Sequence, residues 1–99
     1  MEVTNNTRQY QFEVVVDNQQ AELVYRLRGN TLFLLHTYVP EEINGRGIAS
    51  LLAKTALEYA RDHGHKIGVM CPFVAAYVER HPEWYALYDE EYHQKIPKD

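Results

Sequence analysis

The sequence is poor in cysteine. Cys71 is the only one, so no disulfide can close within the chain. A small domain without disulfides suits a reducing compartment, and a cytoplasmic location is expected. Long apolar runs are also missing: no stretch approaches the ~18 residues that a membrane-spanning helix needs, so no membrane association is expected. The first residues, MEVTNNTRQYQF, lack the apolar core of a signal peptide. Without a secretory route, the Asn5-Asn6-Thr7 sequon reads as a chance match. Bases are in the minority, 10 against 14 acids, for a net charge of −4. That balance argues against nucleic acid as a partner, because non-specific binding needs a basic footprint. It mildly favours a cationic or amine partner. Repeats, low-complexity tracts and linkers are absent too. One domain is therefore expected over residues 1–99, with a core at about 7–84 and a C-terminal tail at 85–99.

What is present is a change of period along the chain. Gln9 to Val16 alternates at first, with Tyr10, Phe12 and Val14 on one face. Asp17-Asn18 is a turn signal, and Ala21 to Arg28 then alternates again, grouping Ala21, Leu23, Tyr25 and Leu27. After the turn signal Gly29-Asn30, Thr31 to Val39 is nearly apolar throughout, as in a strand covered on both faces. Short turns between these runs predict an antiparallel meander. Pro40 ends the third strand. Ile48, Leu51, Leu52, Thr55, Ala56 and Tyr59 then fall on one helical stripe. Gly64 supplies a C-cap, with Arg61 and His63 in the last turn. Lys66 to Met70 reads as a short buried strand. A second helix starts near Pro72, with Phe73 or Val74, Tyr77, Val78 and His81 as its stripe, and Pro82 ends it. In the tail, a short helical turn that packs Trp84 and Leu87 is expected, followed by fraying. The predicted class is α/β of the α+β type, in the order β-β-β-α-β-α. The last strand should run parallel to the third through a crossover.

Two unusual stretches, NGRGIAS and MCPF, lie at the carboxyl ends of the parallel strands, where ligands in such units bind. A helix start offers unpaired N–H groups and partial positive charge. Gly45 and Gly47 clear the approach for a phosphate, and Arg46 adds a cation. On the two glycines alone, a plain loop that needs positive φ before a helix is the favoured reading, because short glycine motifs are weak signals. It is neither a Walker loop, which ends in Gly-Lys-Ser/Thr, nor the dinucleotide G-x-G-x-x-G, because position 50 is Ser.

Gly45-Arg46-Gly47-Ile48-Ala49, between a strand and a helix, resembles the acetyl-CoA motif of the GNAT acyltransferase superfamily, Gln/Arg-x-x-Gly-x-Gly/Ala. HTYVPEE (His36 to Glu42), CPFVAAYVERHPEW (Cys71 to Trp84) and the short length extend the likeness to the small single-domain branch of GNAT-like proteins. The resemblance covers roughly Ala21 to Trp84. It implies a GNAT-like fold, acetyl-CoA as cosubstrate without a metal, and an amine acceptor that is a small molecule or a protein amine. Backbone N–H groups of Arg46, Gly47, Ile48, Ala49 and Ser50, after Gly45, would hold the CoA pyrophosphate. Tyr38 and Val39 would pair with the pantetheine amides, and strands three and four would splay there to admit the thioester. Glu42 stands where the family has Gln or Arg, and Val78 where it has an acidic tyrosine; Tyr77 is one residue early, about 100° around the helix. The family's usual first helices and last strands have no counterpart. The acceptor side should therefore be open, or completed by a partner or a homo-oligomer.

Acyl transfer to an amine needs a neutral amine, a positioned thioester, a stabilised oxyanion and a proton for the leaving thiolate. Cys71, where a strand gives way to a helix, is a candidate proton donor or acetyl carrier, and equally a buried apolar thiol. His36, which strict alternation groups with Leu34 and Tyr38, is a candidate base acting through a water, and equally a core histidine. Tyr77 is the alternative proton source. His81, on the apolar stripe, reads as a structural hydrogen-bonding residue. His63 and His65 lack further ligands at zinc spacing, so no metal is expected. The expected function is acetyl-CoA-dependent N-acetylation by direct attack in a ternary complex. The alternatives are a CoA- or acyl-CoA-binding module with little or no turnover, and a small interaction domain using the aromatic tail.

Overall fold

The structure, a computed structural model, describes residues 1–94. The elements are β1 (Thr4–Asn6), β2 (Gln11–Val16), β3 (Gln19–Arg28), β4 (Thr31–Tyr38), α1 (Ile48–Asp62), β5 (Lys66–Val69) and α2 (Pro72–Arg80). One-turn 3-10 helices occupy Glu41–Ile43, and a longer one Pro82–Leu87. The strands form one sheet in sequence order, antiparallel from β1 to β4, with β5 parallel to β4. This is the expected mixed class, with one strand more than the sequence patterns predict. β1 is short and polar, so it carries no alternation signal. Its pairing is reinforced by the Tyr25 hydroxyl donating to Asn5 Oδ1 at 2.7 Å and by Asn6 Nδ2 donating to Glu13 at 2.9 Å.

β2 begins later than its alternation suggests. Tyr10 has φ of 58° and is exposed, so it precedes the strand and does not share the Phe12–Val14 face. Asp17 and Asn18 both have positive φ (52° and 63°), the backbone of a two-residue hairpin turn that matches strand twist. Phe12, Val14, Ala21, Leu23, Tyr25, Leu32, Leu34, Ile67 and Val69 form the buried side of the sheet. Leu27, expected beside them, is exposed near the strand end. Both helices cover that buried side and touch each other.

The face of α1 is rotated from the expected stripe. Ile48, Leu52 and Ala56 are buried as predicted, but Ala53, Leu57 and Ala60 complete the face. Leu51, Thr55 and Tyr59 lie at its margin. Small alanines let the helix approach the sheet closely, which apolar periodicity alone does not signal. In α2, Val74, Tyr77 and Val78 are buried, Phe73 is half-buried, and His81 caps the C-terminus.

Trp84 and Leu87 pack against the core from the expected helical turn. The expected fraying does not follow directly. Tyr88 bridges Ile67 in parallel, the Asp89 N–H donates to the Ile67 carbonyl at 2.8 Å, and the Val69 N–H donates to His93 Nε2 at 2.9 Å. The tail thus covers the free edge of β5, which would otherwise present unpaired backbone groups. The last five residues, 95–99, on which the fraying expectation also falls, lie outside the described residues.

Candidate functional site

Past β4, buried Pro40 leads into the Glu41–Ile43 turn, and the fully buried Ile43 and Ile48 pin the loop at both ends. Between them the chain makes a sharp reversal. Asn44 Oδ1 accepts the Gly45 N–H at 2.9 Å, and Gly45 and Gly47 take φ of 83° and 75°. That left-handed backbone, costly for residues with a Cβ, explains both glycines. A Cβ at either position would have no atom within 4 Å, so the space in front of the loop is open.

α1 starts without the usual protection. Gly47 is its N-cap, no side chain caps it, and its first turn has no acid. The first α-helical bond is Leu51 N–H to the Gly47 carbonyl at 3.0 Å, so the N–H groups of Ile48, Ala49 and Ser50 precede the ladder. An uncapped start of this kind is suited to an anion. Arg46 does not simply project into that space. It pairs with Asp17 at 2.7 Å, and both side chains are largely exposed. Asp17, on the β2–β3 turn, has no signal in the sequence because the contact joins distant turns.

β4 carries the second feature. Its register with β3 shifts between Val24 and Tyr25: Tyr25 faces Leu34 and Val24 faces His36, which leaves Leu35 as an extra residue. Beyond this bulge, strict alternation fails. Leu34 is buried on the helix side, whereas His36 is exposed opposite Val24, on the other face. The expected grouping of His36 with Leu34 is therefore corrected; its grouping with Tyr38 stands, since Tyr38 faces Glu22. Pairing of β4 with β5 ends at Leu34–Val69 while β4 continues to Tyr38. The Leu34 carbonyl accepts both Met70 N–H (2.9 Å) and Cys71 N–H (3.0 Å), and there the chain leaves the sheet for α2. The two parallel strands part at this point. Tyr38 is exposed and Val39 packs partly on the core.

Cys71 sits where the two strands part. It is buried on the helix side at the start of α2, with Sγ 3.4 Å from Thr37 Oγ1. Thr37 is a residue that sequence reasoning missed, because its orientation depends on the bulge. His36 belongs to the opposite face. Tyr77 is buried and its ring lies 4.3 Å from that of His81. Burial chiefly, then Glu58 and Glu83, raises its pKa, so it stays protonated at neutral pH. Its neighbours are thus His81, Glu58 and Glu83. The His63 and His65 rings are stacked 6.1 Å apart, and no group of three or more metal-ligating side chains occurs among the described residues. Nor does any described helix have the length and apolarity to cross a membrane.

Comparison with known proteins agrees with this geometry. The profile of the GCN5-related N-acetyl-transferase family matches residues 11–87, from β2 through the Pro82–Leu87 turn. Protein NATD1 of Homo sapiens is 35% identical over 83 residues, covering 81% of this chain and 74% of that protein. Protein NATD1 of Xenopus tropicalis is 34% identical over 83 residues, with 81% and 76% covered. The solution structure of a GCN5-like protein from Staphylococcus aureus superposes with a TM-score of 0.68 at 28% identity, covering 96% of both chains. The chain belongs to the GCN5-related N-acetyltransferase family.

Proposed function

We propose that this chain transfers acetyl from acetyl-CoA to an amine by direct attack in a ternary complex. One observation carries the reading: the uncapped start of α1 and the parting of β4 from β5 lie at the same edge, joined by the short Val39–Gly47 connection. In this reading the Gly45–Ser50 loop holds the pyrophosphate through the N–H groups of Arg46, Gly47, Ile48, Ala49 and Ser50. Tyr38 and Val39 offer backbone to the pantetheine amides, as an added strand would. The thioester then enters the cleft beside Cys71 and Thr37.

There the amine lone pair attacks the carbonyl carbon, the C–S bond breaks, and the thiolate takes a proton. The new amide nitrogen loses one. Cys71 is assigned to donate the first proton, with Thr37 as its hydrogen-bonding neighbour. His36, on the sheet face opposite the helices, is assigned to collect the second through a water. Proximity alone supplies roughly 7 kcal/mol or more in favourable cases, so neither group has to be a strong catalyst. The test is a calorimetric CoA titration followed by acetyl transfer to a panel of small amines, peptide lysines and peptide N-termini. Absence of CoA binding would remove the reading. Binding without transfer to any amine would leave a CoA-binding module in its place.

A further inference from the structure

The sheet face opposite the helices carries a feature that the acetyl-CoA reading does not use. Beyond the bulge, Leu35 joins Phe33 and Met70 as the floor of a depression of about 470 Å³, whose rim is Arg26 and Arg28. Phe33 lies directly over Gly68, where a Cβ would stand 2.4 Å from its ring. The Phe33 ring also meets that of Tyr92 at 89°, with centroids 5.3 Å apart. Neither arginine makes an ion pair among the described residues. Arg26 spends one N–H on the Tyr25 carbonyl (2.7 Å), and its guanidinium lies 5.0 Å from the Tyr10 ring centroid. Most of its five donors remain available, as do those of Arg28. In a chain of net charge −4, two arginines that make no ion pair among the described residues stand beside one apolar floor; the Asp89 carboxylate, which accepts from the Thr31 hydroxyl opposite Arg28, is taken up by that bond.

The position of the depression defines what fits it. Leu35 and Met70 stand at the parting of β4 and β5, where the proposed thioester arrives, and Arg26 and Arg28 pair with Phe33 and Thr31 farther back along β4. At about 3.3 Å per residue, those rows lie roughly 7 and 13 Å from Leu35. The geometry points to a peptide acceptor: its amine sits at the cleft, its chain runs along β4 over Phe33, and acidic side chains within the next four residues meet Arg26 and Arg28. A free amino acid is too short to join both ends. The depression is also too open to hold a small amine by burial alone. This assignment rests on the acetyltransferase reading, and it adds a substrate class to it.

The test is fluorescence anisotropy with labelled hexapeptides that have a free N-terminal amine. One carries Asp and Glu at its second to fifth positions; the other carries Asn and Gln there. CoA binding to the parent is measured first, and the peptides are then titrated into the CoA-saturated protein. The acidic peptide is expected to bind about three- to thirtyfold more tightly at low salt, as two exposed charge pairs allow. That advantage should shrink in high salt and vanish in the Arg26→Gln/Arg28→Gln variant. Arg28→Gln alone, which leaves the Tyr10 and Tyr25 contacts of Arg26 intact, should lose part of it. Equal binding of the two peptides, or a preference that survives the double variant, would overturn the assignment while CoA binding stands. A dimer that buries Phe33 and Met70 and excludes peptide, seen by sedimentation, would overturn it as well. Failure of CoA binding in the parent would instead strike at the acetyltransferase reading itself.

Discussion

Gly47→Asn separates backbone strain from obstruction of a ligand at the helix start. Gly47 has φ of 75°, and a Cβ there meets nothing within 4 Å. In the free protein the only penalty is therefore conformational. For an ordinary residue it would be about 1–2 kcal/mol, partly offset by roughly 0.4–1 kcal/mol from a stiffer unfolded chain. Asn tolerates the left-handed region better than other residues, so the net change should stay below about 1 kcal/mol, a shift of no more than ~8 °C in Tm. The new side chain would, however, occupy the open space before the N–H groups of Ile48, Ala49 and Ser50. At a CoA concentration of 100 times the parent Kd, ligand binding adds about 2.7 kcal/mol to the parent, or roughly 10–20 °C. The variant should be folded without ligand and lose most of that increment. The assay is thermal unfolding with and without CoA, with calorimetry as a direct check. A folded variant whose Tm rises with CoA as much as the parent's would refute the assignment of the loop.

Leu52 is fully buried on α1, so Leu52→Asp should cost at least about 3 kcal/mol by burying an unpaired charge; a Tm loss under ~5 °C would show that the helix face is misassigned. Asp17→Asn keeps a residue suited to φ of 52°, should change stability by no more than about 1 kcal/mol, and frees Arg46. CoA affinity should then rise about two- to fivefold at low salt, since a carboxylate near the phosphates is gone; unchanged affinity would mean that Arg46 does not meet the phosphates. His93 accepts the Val69 N–H through Nε2, which requires a neutral ring, and burial pulls its pKa below the ordinary histidine value of 6.5 despite Asp89 nearby. Because the folded state holds this proton less tightly than the unfolded one, its contribution to stability is intact above pH ~6.5 and is lost as pH falls toward the lowered value. The protection of the Val69 amide relative to its intrinsic exchange rate should fall between pH 7.5 and 5.5, and His93→Gln should remove that pH dependence.

The period change at Ile48, the Asp17-Asn18 turn and the positive-φ glycines were legible because each is a local demand of the backbone. Alternation, periodicity and turn chemistry all act over a few residues. What escaped them depends on pairing between distant segments. Nothing in Leu34-Leu35-His36 distinguishes a bulged strand from a regular one, so His36 fell on the wrong side of Leu34, and Thr37, part of the HTYVPEE likeness, was given no role of its own. The tail reads as polar and aromatic, yet it finds the bare edge of β5, an acceptor and donor row that only the assembled sheet creates. α1 was rotated for a similar reason. Leu51 and Tyr59 are more apolar than Ala53 and Ala60, but the short distance to the sheet favours the smaller side chains. The loop of the candidate site was thus visible in the residues themselves, whereas the splay beside it was expected only from the family resemblance, and its lining depends on the bulge.

The bulge has one further consequence for the chemistry. It leaves Thr37 and Cys71 on the helix side and His36 with Leu35 toward the open face. On the proposed reading, a proton donor for the thiolate and a base for the amine would act on opposite faces, with the thioester between them. A Cys–His relay, in which the histidine activates the thiol as a nucleophile, needs the two within hydrogen-bond reach. The hydrogen-bonding partner of Cys71 is instead Thr37. The two groups should therefore contribute independently. Cys71→Ala and His36→Gln are each expected to lower turnover about 10- to 100-fold while CoA binding is nearly unchanged. Because they share no partner, their effects on ΔΔG‡ should add, so the double variant should show the product of the two losses. Cys71→Ser, which keeps a proton, should recover part of the first. A double variant no slower than the worse single one would show that the residues act as a unit. Together with ping-pong kinetics and an acetylated peptide spanning Cys71, that result would replace direct attack with a covalent route.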